Sequence, residues 1–141
     1  MGAWGHKTFE DDSSLDLLDE WINSDDALSL MEHAIREALD AEYLEYDQGH
    51  AIAVAAAVVD YKLNGSSDEL DEADEMVDGF AVWLETLDAA RLKALVPDLI
   101  QGLDLLVGEN SELAELWIEN EELFPKWRQV HLDRKERLAS N

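Results

Sequence analysis

Ala51-Ile52-Ala53-Val54-Ala55-Ala56-Ala57-Val58-Val59-Asp60-Tyr61-Lys62-Leu63 opens with nine apolar residues in a row, from Ala51 to Val59, and no other segment is apolar all the way round. A helix without a polar face cannot lie on a surface, and Ala53, Ala55, Ala56 and Ala57 let neighbouring helices approach closely. The stretch therefore predicts a central buried helix over about 50–63. A run of nine residues is too short to cross a bilayer. The rest of the chain is expected to wrap this helix.

Both flanks support that arrangement. Upstream, Asp12 or Ser13 is expected to cap a first helix over about 14–23, with Leu15, Leu18, Trp21 and Ile22 on one face. A second helix, about 26–44, carries Leu28, Met31, Ile35, Ala38 and Leu39 at intervals of three and four, with Glu32 and Arg36 paired on the other side. Residues 43–49 read as a turn in which Asp47 caps the buried helix. Downstream, Asn64-Gly65 is a stop, and Ser66 or Ser67 a cap for a helix over about 68–86. Pro97 divides the next apolar stretch into helices near 89–95 and 98–107. Ser111 caps a helix over 112–120, and Pro125 precedes a last one over about 126–138. No alternating strand pattern interrupts this series. The chain reads as one all-α domain, residues 1–141, of six to eight helices, with an N-terminal arm (1–12) and a basic C-terminal helix.

Length and composition agree. A chain of 141 residues with 47% apolar content can bury a core without staples. It contains no cysteine, which excludes disulfides, thiolate metal sites and cysteine nucleophiles. Ten basic residues against 34 acidic give a net charge of −24, opposed to binding nucleic acid or an anionic membrane. The charge is uneven: residues 126–141 hold five basic and two acidic residues, leaving that tail at +3 and the first 125 residues at −27. The two parts can attract each other within one chain, or the tail can dock on a second copy. The opening residues lack the apolar core and cleavage site of a secretory signal, so cytoplasmic residence is expected.

Met1-Gly2-Ala3-Trp4-Gly5, then Phe9-Glu10-Asp11-Asp12, Leu15-Asp16 and Trp21, resemble the start of the bacterial family called Domain of Unknown Function 4259. The run Ala51 to Val59, the segment Ser111 to Trp117, Trp127 and Arg137-Leu138 extend the resemblance over nearly the full length. The chain departs from the pattern at His6-Lys7 and Leu17-Leu18. The resemblance implies a small intracellular bacterial protein and carries over no activity, cofactor or catalytic residue.

Candidate chemistry is sparse. His50, three residues after Asp47 and near Glu42 and Glu45, has the ligand types of a zinc or other divalent site, but no His-Glu-x-x-His motif accompanies it. Glu42 with Glu45, and Glu75 with Asp78, place carboxylates one turn apart, similar to the magnesium-binding pairs of all-α nucleotide pyrophosphohydrolases. With 34 acids in the chain such spacings also arise by chance, and no cluster of phosphate-gripping basic residues lies nearby. Serines fall in caps and turns, with no nucleophile elbow. No catalytic residue, cofactor or metal is therefore assigned.

The five tryptophans lie on apolar stripes, and Trp4 and Trp117, with Asp11 and Asp12, are the candidates for partner contact. The sequence thus favours a non-catalytic interaction domain, of the immunity or inhibitor type, that binds a basic protein. A magnesium-dependent hydrolase and a structural homodimer are the alternatives.

Overall fold

A computed structural model describes residues 5–65 and 68–140, and among them it contains nine α-helices and no strand. They are α1 (Asp12–Ile22), α2 (Ala27–Asp40), α3 (Tyr46–Asn64), α4 (Asp68–Met76), α5 (Phe80–Thr86), α6 (Ala89–Ala94), α7 (Val96–Leu106), α8 (Glu112–Ile118) and α9 (Phe124–Ala139). The chain is all-α, as the apolar periodicities predict. Helix α3 is its axis, touching α1, α2, α5, α6, α7, α8 and α9. Every residue from Gly49 to Tyr61 is buried.

The small residues of α3 set how near its neighbours come. At Gly102 of α7, a Cβ would lie 2.7 Å from Cδ1 of Ile52, closer than side chains pack. With Ile52 in place, glycine lets α7 settle against α3 at this depth, and Leu99, Leu103 and Leu106 are buried alongside it.

The helix ends differ from expectation in places. Asp11, rather than Asp12 or Ser13, caps α1, its Oδ1 accepting from the backbone N–H groups of Ser13 (2.8 Å) and Ser14 (3.4 Å). Helix α2 ends at Asp40, well short of residue 44, and Glu32 pairs with Arg91 of α6, tying two helices together. Helix α3 begins at Tyr46, because Gln48 Oε1 accepts from the Glu45 N–H (3.0 Å) and the expected turn becomes a helical start. The expected helix over 68–86 is two: Gly79, at φ +80°, halts the path after α4, and Asp74 Oδ1 accepts from Ala81 N–H (2.9 Å) to start α5. This division accounts for the ninth helix. The expected caps Ser66 and Ser67 lie outside the described residues.

The loops before α3 and α8 are joined. Leu44 N–H donates to Asn110 O (2.8 Å), and Glu112 N–H donates to Leu44 O (2.9 Å). Two helix starts separated by more than sixty residues are thereby held side by side, with Glu112 Oε1 accepting from Tyr46 N–H (3.2 Å).

Gly102→Ala is expected to lower unfolding stability by about 1–3 kcal/mol, the range for overpacking a closed core. Ile52→Val removes the obstructing Cδ1, so the double variant should recover part of that loss in urea unfolding.

Candidate functional site

Two polar clusters lie inside this apolar assembly, one at each end of α3. At its C-terminal end Asp60 is 3% exposed, and both carboxylate oxygens are engaged. Oδ1 accepts from Asn64 Nδ2 (2.7 Å), while Oδ2 faces Arg134 Nε (3.4 Å) and Arg137 Nε (2.9 Å) of α9. Arg134 is wholly buried. Its other nitrogens reach Thr8 Oγ1 (3.2 Å) and Tyr61 OH (3.5 Å), and its guanidinium lies 5.4 Å from the centre of the Tyr61 ring. A buried guanidinium needs such a set of partners, since desolvation otherwise outweighs attraction. One turn of α9 therefore fixes that helix to α3 and the arm to both. Lys135 adds an exposed pair with Asp104 of α7 (2.7 Å).

At the N-terminal end His50 is 5% exposed. Its Nδ1 lies 3.1 Å from Ser14 Oγ of α1, and its Nε2 lies 3.8 Å from Asp11 Oδ2. Burial pushes the His50 ring below its ordinary value, against the upward pull of Asp11 and Asp47. With the ring neutral, the approach to Asp11 is not an ion pair. Behind it stands His131 of α9, which burial, reinforced by Arg134 and His50, pushes down to about 3. His131 packs edge-on against Trp127 (4.9 Å between ring centres), and Trp127 stacks on Trp117 of α8 (6.0 Å, 14° between planes).

These side chains line a small cavity of about 20 Å³. The arm contributes Lys7 and Thr8, the α1 cap and first turn Asp11 and Ser14, α3 His50 and Ala53, α8 Leu113 and Trp117, and α9 Trp127 and His131. A serine, an imidazole and a carboxylate are the parts of a nucleophilic triad, but the geometry is different. Ser14 is 1% exposed and lies against Nδ1, with the carboxylate beyond the opposite nitrogen, and the cavity has no room for an acyl group. The arrangement fastens α1 to α3.

On the outer side of His50 an open groove of about 420 Å³ runs between α1 and the start of α3. Its lining is Ser13, Asp16, Leu17, Glu20, Asp47 and His50: three carboxylates and no lysine or arginine.

The residues singled out in the sequence are dispersed. Glu42, Glu45, Glu75 and Asp78 are all exposed, the first pair before α3 and the second at the end of α4. Among the described residues no three His, Asp or Glu side chains gather as metal ligands, the two carboxylate pairs and His50 included. Trp117, 4% exposed, and Asp11, 5% exposed, face inward as core and cap, which corrects their reading as partner contacts. Asp12 is exposed, and Trp4 lies outside the described residues. Sequence reading missed Ser14, Asp60, His131 and Arg134. The signal for Asp60 was a lone carboxylate within a buried run, which requires a cationic partner elsewhere in the chain.

The fold and its interior thus define a class: a single all-α domain whose buried polar groups lock its own helices together. The chain belongs to the family Domain of unknown function (DUF4259), whose model matches residues 2–130. His131, Arg134 and Arg137 lie beyond that match. No curated protein and no solved structure matches the chain.

Asp60→Asn removes the charge facing buried Arg134, and stability should fall by about 3–5 kcal/mol in chemical unfolding, as when one partner of a buried pair is lost. His131 supplies a pH test. Its ring stays neutral in the folded chain down to about pH 3, whereas a histidine in the unfolded chain takes up a proton near pH 6.5. Its contribution to stability is complete above about pH 6.5 and declines by about 1.4 kcal/mol per unit as pH falls below it. The His131 ring resonances should accordingly stay fixed from pH 8 to pH 5, approximately the range that brackets ordinary histidine titration. A midpoint near 6.5 would show an exposed ring.

Proposed function

We propose that this protein is a non-catalytic interaction domain that binds a basic protein partner through its acidic surface. The observation that carries this reading is the groove between α1 and α3, in which Asp16, Glu20 and Asp47 line one open space with no lysine or arginine in the lining. Three carboxylates in one concavity focus a negative potential and favour a guanidinium or ammonium group. Leu17 supplies an apolar wall against which the aliphatic stem of an arginine or lysine can lie.

The distribution of the basic residues supports the same reading. The C-terminal helix directs Arg134 and Arg137 to Asp60 and Lys135 to Asp104. These pairs support the first of the two arrangements open to the +3 tail, attraction to its own acidic chain. Docking would begin with long-range attraction between the exposed acids and a basic surface, and would end with a cationic side chain in the groove.

A synthetic oligo-arginine peptide tests the reading. Its affinity should fall at least ~10-fold between about 0.01 M and about 0.15 M salt, as the Debye length shrinks from about 30 Å to about 8 Å. Replacing Asp16→Asn, Glu20→Gln and Asp47→Asn together should weaken binding more than the charge-matched set Glu119→Gln, Glu121→Gln and Glu122→Gln. Equal losses from the two sets would deny the groove its role, and binding indifferent to salt would deny the mechanism.

A further inference from the structure

We propose that a single water molecule is bound in the cavity beneath the N-terminal arm, hydrogen-bonded at once to His50 Nε2 and His131 Nδ1. This site stands apart from the acidic groove and does not depend on its role. Both nitrogens are buried and neither has a protein hydrogen-bond partner, a condition that buried polar atoms in folded proteins rarely keep. Both rings line the same cavity of about 20 Å³. That space holds one water, which needs roughly 10–15 Å³ by the same measure. It is too small for an organic ligand.

The chemistry of the rings selects water over an ion. A neutral imidazole has one N–H and one lone pair, and a water both donates and accepts. It therefore satisfies the two nitrogens in any combination of tautomers with at least one acceptor or one donor facing the cavity. A divalent cation needs more ligands than this site offers, since no three His, Asp or Glu side chains gather as ligands among the described residues. The Lys7 side of the lining would oppose it as well. Thr8 and Asp11 line the same space and offer the water its third and fourth contacts.

The bound water completes a chain across the domain. Ser14 Oγ meets His50 Nδ1 at 3.1 Å, and the water carries the connection from His50 Nε2 to His131. Helices α1, α3 and α9 are thereby linked in series, in addition to the Asp60 cluster at the other end of α3. Ser14 and His131 become coupled positions although they share no direct contact in the hydrogen-bond network.

A high-resolution crystal structure of the whole chain tests the site directly. The expected result is one density peak about 2.7–3.2 Å from both ring nitrogens, with no anomalous signal at transition-metal absorption edges. An empty cavity, an anomalous scatterer, or rings turned onto a protein partner would each overturn the proposal. A double-mutant cycle tests the linkage: the Tm losses of Ser14→Ala and His131→Leu should be less than additive in the double variant. Full additivity would show that no water joins them. Should the His131 variant fail to fold, the crystal structure of the unaltered chain still decides the matter.

Discussion

Thirteen consecutive residues of α3, from Gly49 to Tyr61, are shielded from water, and covering them on every side determines where the other helices go. An amphipathic helix asks for one partner; a helix apolar all round asks for a complete shell. Helices α1, α2 and α5 to α9 all touch α3 for this reason. The alanines of its centre permit that shell to close tightly, and Gly102 marks a point where a neighbouring backbone has come as near as side-chain volume allows. Burial of this one surface is the dominant favourable contribution on which the rest of the fold depends.

The polar groups that α3 carries at its ends are the second consequence. Asp60 and His50 enter the interior because the helix that bears them does, and each then draws partners from other elements. For Asp60 those partners are Arg134 and Arg137 of the basic final helix, beside Asn64 of α3 itself. For His50 the partner is Ser14, whose own backbone N–H is held by the Asp11 cap. Thr8 reaches the Arg134 cluster and, with Lys7, lines the cavity at His50, so this part of the arm contributes to both ends. The groove over His50 concentrates three carboxylates in one place.

Much of this was legible in the residues. The uninterrupted run Ala51–Val59 identified the axis, because nothing except burial makes sense of nine apolar residues on all faces of a helix. Ser111 and the prolines marked helix starts through local chemistry that tertiary contacts did not override. What escaped notice depended on distance along the chain. Gly79 lies inside the stretch 68–86 that reads as one helix, and its positive φ is a local break that apolar periodicity does not encode. Trp117 had the composition of an interface anchor, yet Trp127, ten residues on, covers its ring. Arg134 looked like one more charge of a basic tail until α3 placed Asp60 beside it. For the carboxylate pairs Glu42/Glu45 and Glu75/Asp78, spacing within each pair was visible in the sequence, and both pairs lie exposed in the fold. Asp16, Glu20 and Asp47 come together only when α1 lies across the start of α3.

Hydrogen exchange along α3 tests the central claim most directly. If the shell around this helix is what holds the domain together, the amides of Val54 to Val59 exchange only through global unfolding, with the highest protection in the chain and a free energy equal to that from denaturant melting. If they exchange through smaller openings while α2 or α7 remains protected, α3 is a passenger in a bundle held by its neighbours, and the account given above is wrong.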